Sequence, residues 1–169
     1  VTDIFVRVLQ VTLDANGNMV SMIDPSGKTY SYSYDSNKNI ASILYPDQAT
    51  PRSYLYDSLG LTGIIDENGA RFATWAYNEA GLAISTEHAG GAQKYTLTYN
   101  LDGYSGDIVS SSALDSRGST RSYWFNKVLG VAKSSGQSQP GGSGCNASTN
   151  ASTYDANGNV ATSTDWNGT

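Results

Sequence analysis

The seven residues YDANGNV, at positions 154–160, decide the fold of this chain. An aromatic residue is followed by aspartate, and glycine comes three positions after the aspartate. Aspartate opens tight turns by bonding to nearby backbone amides, and glycine adopts the left-handed conformation that such turns require. The valine at position 160, after the turn, favours a β-strand. The stretch therefore predicts a tight turn between two β-strands.

The same pattern recurs along the chain. An aromatic residue followed by aspartate or asparagine occurs at 34, 56, 77, 99, 125 and 154, with a weaker first copy at 13. From 14 to 100 the aspartate or asparagine positions lie 21 or 22 residues apart, and the next two intervals are 26 and 29 residues. A recurring period of this length is typical of repeat proteins. The predicted structural repeat positions are Tyr34, Asp35, Tyr56, Asp57, Gly60, Tyr77, Asn78, Gly81, Tyr99, Asn100, Gly103, Tyr154, Asp155 and Gly158.

Most repeats contain a second turn signal near their middle. Examples are Asp24-Pro25-Ser26-Gly27 and Asp66-Glu67-Asn68-Gly69. Two turns about ten residues apart predict one β-hairpin per repeat. Between the turns, aromatic and small polar residues alternate, as in Tyr30, Tyr32 and Tyr34. This alternation predicts strands with one aromatic face and one polar face.

Successive hairpins of this kind predict an all-β fold. We expect them to pair side by side into a continuous antiparallel sheet, which coils because strands twist. Residues 1–169 are predicted to form a single array of about seven repeats that starts near residue 11. Residues 134–152 are rich in serine and glycine and have little to bury, which predicts a mobile surface loop.

The composition excludes several classes of protein. Ten basic and fifteen acidic residues give a net charge of -5, which argues against a surface for nucleic acid or anionic lipid. One cysteine and one histidine are too few for an internal disulfide or the usual zinc sites. No apolar stretch approaches the ~20 residues of a membrane helix, so no membrane span is predicted. The chain begins at Val1 and ends soon after a turn glycine, which favours a removed targeting segment or an excerpt of a longer protein.

Candidate catalytic residues are few. His88 could act with Ser85 or Asp66 in a nucleophilic triad, but no motif supplies an oxyanion hole. A histidine in a turn is therefore the favoured interpretation. Cys145 follows a glycine-rich stretch without a basic neighbour to activate it, which favours an inert exposed thiol.

Candidate ion and glycan sites are also weak. The stretches at 14–18 and 155–159 resemble the start of a calcium loop, but Met19 and Pro25 stand where an EF-hand needs glycine and glutamate. Three glycosylation sequons lie in asparagine- and serine-rich sequence, where chance is the favoured explanation: Asn146, Asn150 and Asn167. No catalytic residue, metal or cofactor is predicted, and the protein is predicted not to be an enzyme.

The Tyr-Asp-x-x-Gly pattern, in YDANGNV at 154–160 and YDSLGL at 56–61, resembles the YD repeat of the Rhs family. That family includes bacterial polymorphic toxins, the BC shell of Tc toxins and teneurins. The resemblance covers about residues 11–168. Departures are asparagine at 78, 100 and 126, Lys38 in place of a turn glycine, and the absence of an arginine after the glycine.

The resemblance implies a section of a hollow β-shell with a structural role. In toxin members of the family the shell encloses a C-terminal toxin. The implied partners are the remaining repeats and the toxin domain of the same polypeptide, and the implied location is secreted or cell-surface. No cleavage residues of the family match this sequence.

The sequence is also compatible with two other functions. Sheet edges pair readily with further strands, so neighbouring chains could assemble through them into an extracellular filament or adhesive scaffold. A face rich in tyrosine could alternatively bind carbohydrate, although aromatic ladders that hold the sheet together explain the rings without a ligand.

Overall fold

A computed structural model describes residues 1–5 and 7–169 of the chain. The described residues contain fourteen strands and one short 3-10 turn at Ala89–Gly91, which confirms the all-β prediction. The strands are β1 (Gln10–Leu13), β2 (Met19–Ile23), β3 (Thr29–Tyr34), β4 (Ile40–Leu44), β5 (Arg52–Tyr56), β6 (Leu61–Ile65), β7 (Arg71–Tyr77), β8 (Ala83–His88), β9 (Tyr95–Leu101), β10 (Ile108–Asp115), β11 (Thr120–Val128), β12 (Val131–Gln139), β13 (Ser148–Tyr154) and β14 (Val160–Thr164).

The chain divides into two compact units. The first comprises Val1–Leu82 with His88–Gly90, and the second comprises Ala83–Glu87 with Gly91–Thr169. In the first unit, β1 to β7 pair antiparallel in chain order. In the second unit, β8 to β14 pair in the same way. Each unit is therefore a series of hairpins laid edge to edge.

The alternation of side chains sets the register of these hairpins. Tyr30 lies opposite Met22, and Tyr32 lies opposite Ile43. On the other face Ser33 lies opposite Ser42, and their hydroxyl oxygens are 2.7 Å apart. Cross-strand neighbours share a face, so one face is aromatic and aliphatic while the other is small and polar.

Burial is shallow in both units. Among the described residues, the one buried apolar side chain is Ala73, which is 3% exposed. Most tyrosine rings in the strands are half-buried. Backbone pairing and contacts along each face therefore hold the strands together, rather than a core between two layers.

The predicted loop at 134–152 is shorter than expected, so that prediction was wrong in extent. Strand β12 continues to Gln139 and β13 begins at Ser148, which leaves only 140–147 between them. The small residues fit because the strands lie close together at this point. A Cβ on Gly136 would stand 2.6 Å from the carbonyl oxygen of Asn150. Lateral pairing thus overrides the weak strand preference of glycine and serine.

Candidate functional site: the tyrosine clasps and aspartate turns

Five tyrosine hydroxyls donate hydrogen bonds to backbone carbonyl oxygens of an earlier part of the chain. We call each of these bonds a tyrosine clasp. Their donor-to-acceptor distances lie between 2.7 and 3.0 Å, within the usual range for hydroxyl donors. The pairs are Tyr34 to Met19, Tyr56 to Ile40, Tyr77 to Leu61, Tyr99 to Ala83 and Tyr154 to Ser134.

The acceptors share a position in the repeat. Ile40 is the cross-strand partner of Tyr34, and Leu61 is the partner of Tyr56. Ser134 pairs in the same way with Phe125. In each case the register shifts by a bulge just before the aromatic residue. Each of these three clasps therefore joins a repeat tyrosine to the residue that the aromatic position of the previous repeat faces.

The clasp of Tyr77 illustrates why the turn before the acceptor contains glycine. Gly60 has a φ of +155°, a conformation that side chains strongly disfavour. A Cβ on Gly60 would stand 3.5 Å from the ring of Tyr77. The backbone conformation therefore accounts for the glycine, because a Cβ at 3.5 Å would only make an ordinary van der Waals contact with the ring.

Burial further favours the protonated form of at least one clasp hydroxyl. It raises the pKa of Tyr56 above its ordinary value, and the nearby charge of Asp35 raises that pKa further. A neutral phenol is a hydrogen-bond donor, whereas a phenolate is not. The environment therefore favours the donor form that the clasp to Ile40 requires.

Where aspartate follows a repeat tyrosine, its carboxylate organises the adjoining turn. One carboxylate oxygen of Asp35 accepts bonds from the backbone amides of Asn37 and Asn39, at 2.8 and 2.9 Å. The side-chain amide of Asn39 donates to the other oxygen at 3.1 Å. These bonds lower the pKa of Asp35, with the Asn39 side chain as the largest cause.

The same turn occurs in the first and the last repeat of the array. Asp14 and Asp155 accept bonds from the amides two and four residues later, and from the asparagine side chain four residues later. Bonds to these amides also lower the pKa of both carboxyls. Their oxygens thus bind backbone amides at the stretches that resemble a calcium loop. In the described part of the chain, no group of three acidic, histidine or cysteine side chains could hold a metal ion.

Lys38 occupies the turn position that glycine holds elsewhere. Its amide donates to the carbonyl of Asp35, and its φ is +67°. The equivalent Gly17 and Gly81 have φ values of +84° and +76°. The substitution noted in the sequence therefore leaves the turn intact with a lysine in the left-handed region.

Two predicted repeat positions, Asn100 and Gly103, do not have the turn roles that the repeat pattern assigns to them. Asn100 lies within β9, and its side-chain amide donates to the hydroxyl of Ser110 at 2.8 Å. The turn begins at Asp102, and the left-handed glycine is Gly106, with a φ of +72°, rather than Gly103. The prediction for this turn was wrong because Asp102, two positions later, supplies the carboxylate that accepts the turn amides.

An ion pair stands near the one aromatic repeat position that lacks a hydroxyl. Phe125 cannot form a clasp, but two residues later Lys127 bonds to Asp107 at 2.8 Å. This contact joins β11 to the turn residue just before β10, the strand that a clasp from Phe125 would reach. Phe125 and Lys127 also line a groove of about 420 Å³. This pairing was not predictable from the repeat pattern, because its partners lie twenty residues apart at positions outside that pattern.

A second feature that sequence reasoning missed is centred on Arg52. Its guanidinium lies 5.6 Å from the ring centres of both Tyr45 and Phe72. It also forms an ion pair with Glu67 at 3.2 Å, which raises the pKa of Arg52. His88 packs edge-on against Phe72, with ring centres 5.2 Å apart. His88, the histidine considered above as a possible catalytic residue, is therefore part of an aromatic and cationic cluster in the first unit.

Three of the remaining candidate residues, Cys145, Asn146 and Asn150, lie in or near the turn at 140–147, and Asn167 lies in the turn at Asp165. Cys145 is an exposed thiol in a small bridge with Gly142. Asn146 is exposed in the same turn. Asn150 lies in β13, where its side-chain oxygen accepts the amide of Gln137 at 2.9 Å. Across the described residues, no helix is long and apolar enough to cross a membrane.

The comparisons with known proteins agree with this architecture. Residues 14–50 match the family model of the RHS repeat. The chain is similar to one in the crystal structure of TcdB2–TccC3–Cdc42, with 15% identity and a TM-score of 0.61 over 90% of this chain and 9% of that chain. It is also similar to a chain of the Photorhabdus luminescens Tc holotoxin pore with mutated TccC3, with 15% identity and a TM-score of 0.62 over 92% of this chain and 9% of that chain.

At this identity the similarity to solved structures concerns the fold alone. The chain spans about a tenth of the length of those structures. No curated protein matches the chain. The predicted resemblance to the Rhs family is confirmed, with residues 14–50 assigned to an RHS repeat.

Proposed function

We propose that residues 1–169 form part of the wall of an Rhs-type shell that encloses a toxin domain of the same polypeptide. In this role the chain is structural rather than catalytic, and it acts outside the producing cell. Its partners are further repeats, which pair along the sheet, and the enclosed domain. The similarity to Tc toxin structures supports the fold on which this proposal rests.

The observation that carries the proposal is the shallow burial. A sheet in which Ala73 alone is a buried apolar residue, among those described, has the character of a single layer. Each unit uses hydrogen-bonded strands and tyrosine clasps where a globular domain would use a core. Such a layer can separate two compartments without needing a reactive site.

Protease protection tests the shell function. The natural full-length protein is treated with a protease, and survival of the region beyond the repeats is followed by mass spectrometry. We expect that region to survive while the intact repeats exclude the protease, and to be degraded at a denaturant concentration that opens the repeats. A control with the downstream region expressed alone should be degraded at once. Equal degradation of that region with and without intact repeats would contradict enclosure.

A second candidate is a filament assembled through sheet edges. It is favoured by the sequences of β1, at an edge of the first unit, and β14, at an edge of the second, since neither strand contains a charged residue. Charged edge strands are a common defence against edge pairing. Electron microscopy of native material distinguishes the two functions. Closed hollow particles favour the shell, and ordered fibres favour the filament.

A further inference from the structure

We propose that one face of β9, β10 and β11 carries a binding site for an acidic carbohydrate, a short glycan that contains a carboxylated sugar. The inference goes beyond the shell function, because it assigns a ligand to side chains that form no clasp. The three strands lie inside the second unit, where each of them pairs with a neighbour on both sides.

Two adjoining grooves lie on this face. The larger has a volume of about 440 Å³ and is lined by Arg121 and Tyr123, while the smaller, of about 360 Å³, is lined by Arg117. Tyr95 and Asp115 line both grooves. Volumes of this order are typical of small-molecule sites, and two grooves with a shared wall suit a ligand of two linked rings.

The strand register builds the larger groove. Ala113 on β10 lies opposite Leu97 on β9 and opposite Arg121 on β11. Cross-strand partners share a face of the sheet, so a small side chain stands between two longer ones. Ala113 thus forms the floor of the groove, and Tyr95 lies at its end, opposite Asp115.

Tyr95 and Tyr123 differ from the tyrosines that form clasps. Among the described residues, neither hydroxyl forms a hydrogen bond and neither ring pairs with another aromatic ring. Tyr95 is also 44% exposed. The clasps and ring pairs that stabilise the sheet therefore do not account for these two rings. An exposed tyrosine offers a ring face to the C–H groups of a sugar and a hydroxyl to the sugar hydroxyls.

Two arginines give the site a local positive charge. Arg117 and Arg121 are exposed, and neither forms an ion pair in the described part of the chain. One oxygen of the nearby Asp115 carboxylate accepts the amides of Arg117 and Ser119, both at 2.9 Å. A guanidinium binds a carboxylate through two parallel hydrogen bonds. Two arginines beside one aspartate therefore favour a carboxylated ligand, on a chain whose net charge of -5 disfavours polyanions such as nucleic acids.

An extended peptide fits this site less well than a glycan. Strand addition needs backbone amides and carbonyls without a partner strand, and β10 already pairs with both β9 and β11. Recognition must therefore come from side chains, which here supply aromatic rings, hydroxyls and guanidinium groups. This combination matches the apolar faces and the polar rim of a sugar ring.

Saturation-transfer NMR on the complete natural protein tests the site, because this method detects weak binding of a small ligand to a large protein. The probes are cellobiuronic acid and cellobiose, two-ring sugars that differ only by a carboxylate in place of a hydroxymethyl group. We expect cellobiuronic acid to bind roughly two- to fivefold more tightly, the effect of an exposed ion pair. Added salt should reduce this difference by screening the charges.

Two variants separate the contribution of the charge from that of the ring. Arg121→Gln should abolish the advantage of the acid and leave cellobiose binding unchanged, whereas Tyr95→Leu should weaken the binding of both sugars equally. Lys38→Gln controls for the change in net charge, and Tyr104→Leu controls for the loss of an exposed tyrosine, since both residues lie outside the grooves. Neither control should change the affinity for either sugar.

Three results would overturn the inference. The first is the absence of saturation transfer to both sugars, and the second is equal affinity for the acidic and the neutral sugar. The third is binding that Tyr95→Leu and Arg121→Gln leave unchanged, since the sugars would then bind elsewhere on the protein.

Discussion

The hydroxyl of Tyr77 donates to the carbonyl oxygen of Leu61 at 2.9 Å, and Leu61 is itself the cross-strand partner of Tyr56. One bond thus joins the end of β7 to the residue that the previous repeat tyrosine faces. Repetition of this arrangement makes each repeat the template for the register of the next. A slip by one residue would remove the bond and turn every side chain to the opposite face.

Removing one clasp hydroxyl should destabilise the first unit. We expect Tyr77→Phe to lower the free energy of unfolding by about 1 kcal/mol, the contribution of a typical hydrogen bond. Urea denaturation followed by circular dichroism measures the change. Tyr104→Phe is the matched control, because Tyr104 is fully exposed in a turn. Equal losses in the two variants would show that the clasp contributes nothing.

Replacing the left-handed lysine should stabilise the chain. Lys38 has a φ of +67°, which costs an ordinary residue about 1–2 kcal/mol, whereas glycine adopts it freely. Glycine also gains entropy when unfolded, which offsets roughly 0.5–1 kcal/mol. We expect Lys38→Gly to raise the melting temperature in a calorimetric scan. The neighbouring Asn37→Gly should lower it, and a lower melting temperature for Lys38→Gly would refute the argument.

Acid should weaken the aspartate turns. The pKa of Asp35 is lower in the folded chain than its ordinary value near 3.9, so unfolding takes up a proton at low pH. Its contribution to stability is present above about pH 4 and is lost as the pH falls through the lowered folded pKa. Urea midpoints measured from neutral pH down to the acid limb should show this decline.

An isosteric variant separates Asp35 from the other acidic turns. Asp35→Asn keeps an oxygen that can accept the turn amides, as Asn78 does naturally for Ala80 and Leu82. We expect the urea midpoint of this variant to fall less than that of the parent chain as the pH is lowered. An identical pH dependence in both proteins would rule out a contribution of the Asp35 carboxylate.

A side chain at Gly136 should disrupt one strand pair. A Cβ at this position would stand 2.6 Å from the carbonyl oxygen of Asn150, closer than real contacts allow. We expect Gly136→Ala to speed amide exchange in β12 and β13 while β9 and β10 remain protected. Gly103→Ala serves as a control in the turn after β9, because its φ lies outside the left-handed region and an added Cβ meets nothing within 4 Å there. Unchanged exchange in β12 and β13 would contradict the close strand approach.

The repeat pattern was sufficient to predict the strands and most of the turns. The turns were predictable because they depend on aspartate and glycine at fixed spacings within a few residues, which can be recognised directly in the sequence. The clasps were not predictable, because their acceptors are backbone carbonyls chosen by bulges and register. Asn100 was misassigned because both it and Asp102 can open a turn, and the strand length decides between them. Strand pairing across 134–139 was likewise decided by the neighbouring strands.

Determination of the complete natural protein at side-chain resolution by electron cryomicroscopy tests the central claim most directly. We predict that β1 to β7 and β8 to β14 each form successive antiparallel strands paired in chain order, with the hydroxyls of Tyr34, Tyr56, Tyr77, Tyr99 and Tyr154 bonded to the carbonyls of the preceding repeat. Helices in this region, or hairpins packed without lateral pairing and with tyrosine hydroxyls turned to solvent, would contradict it.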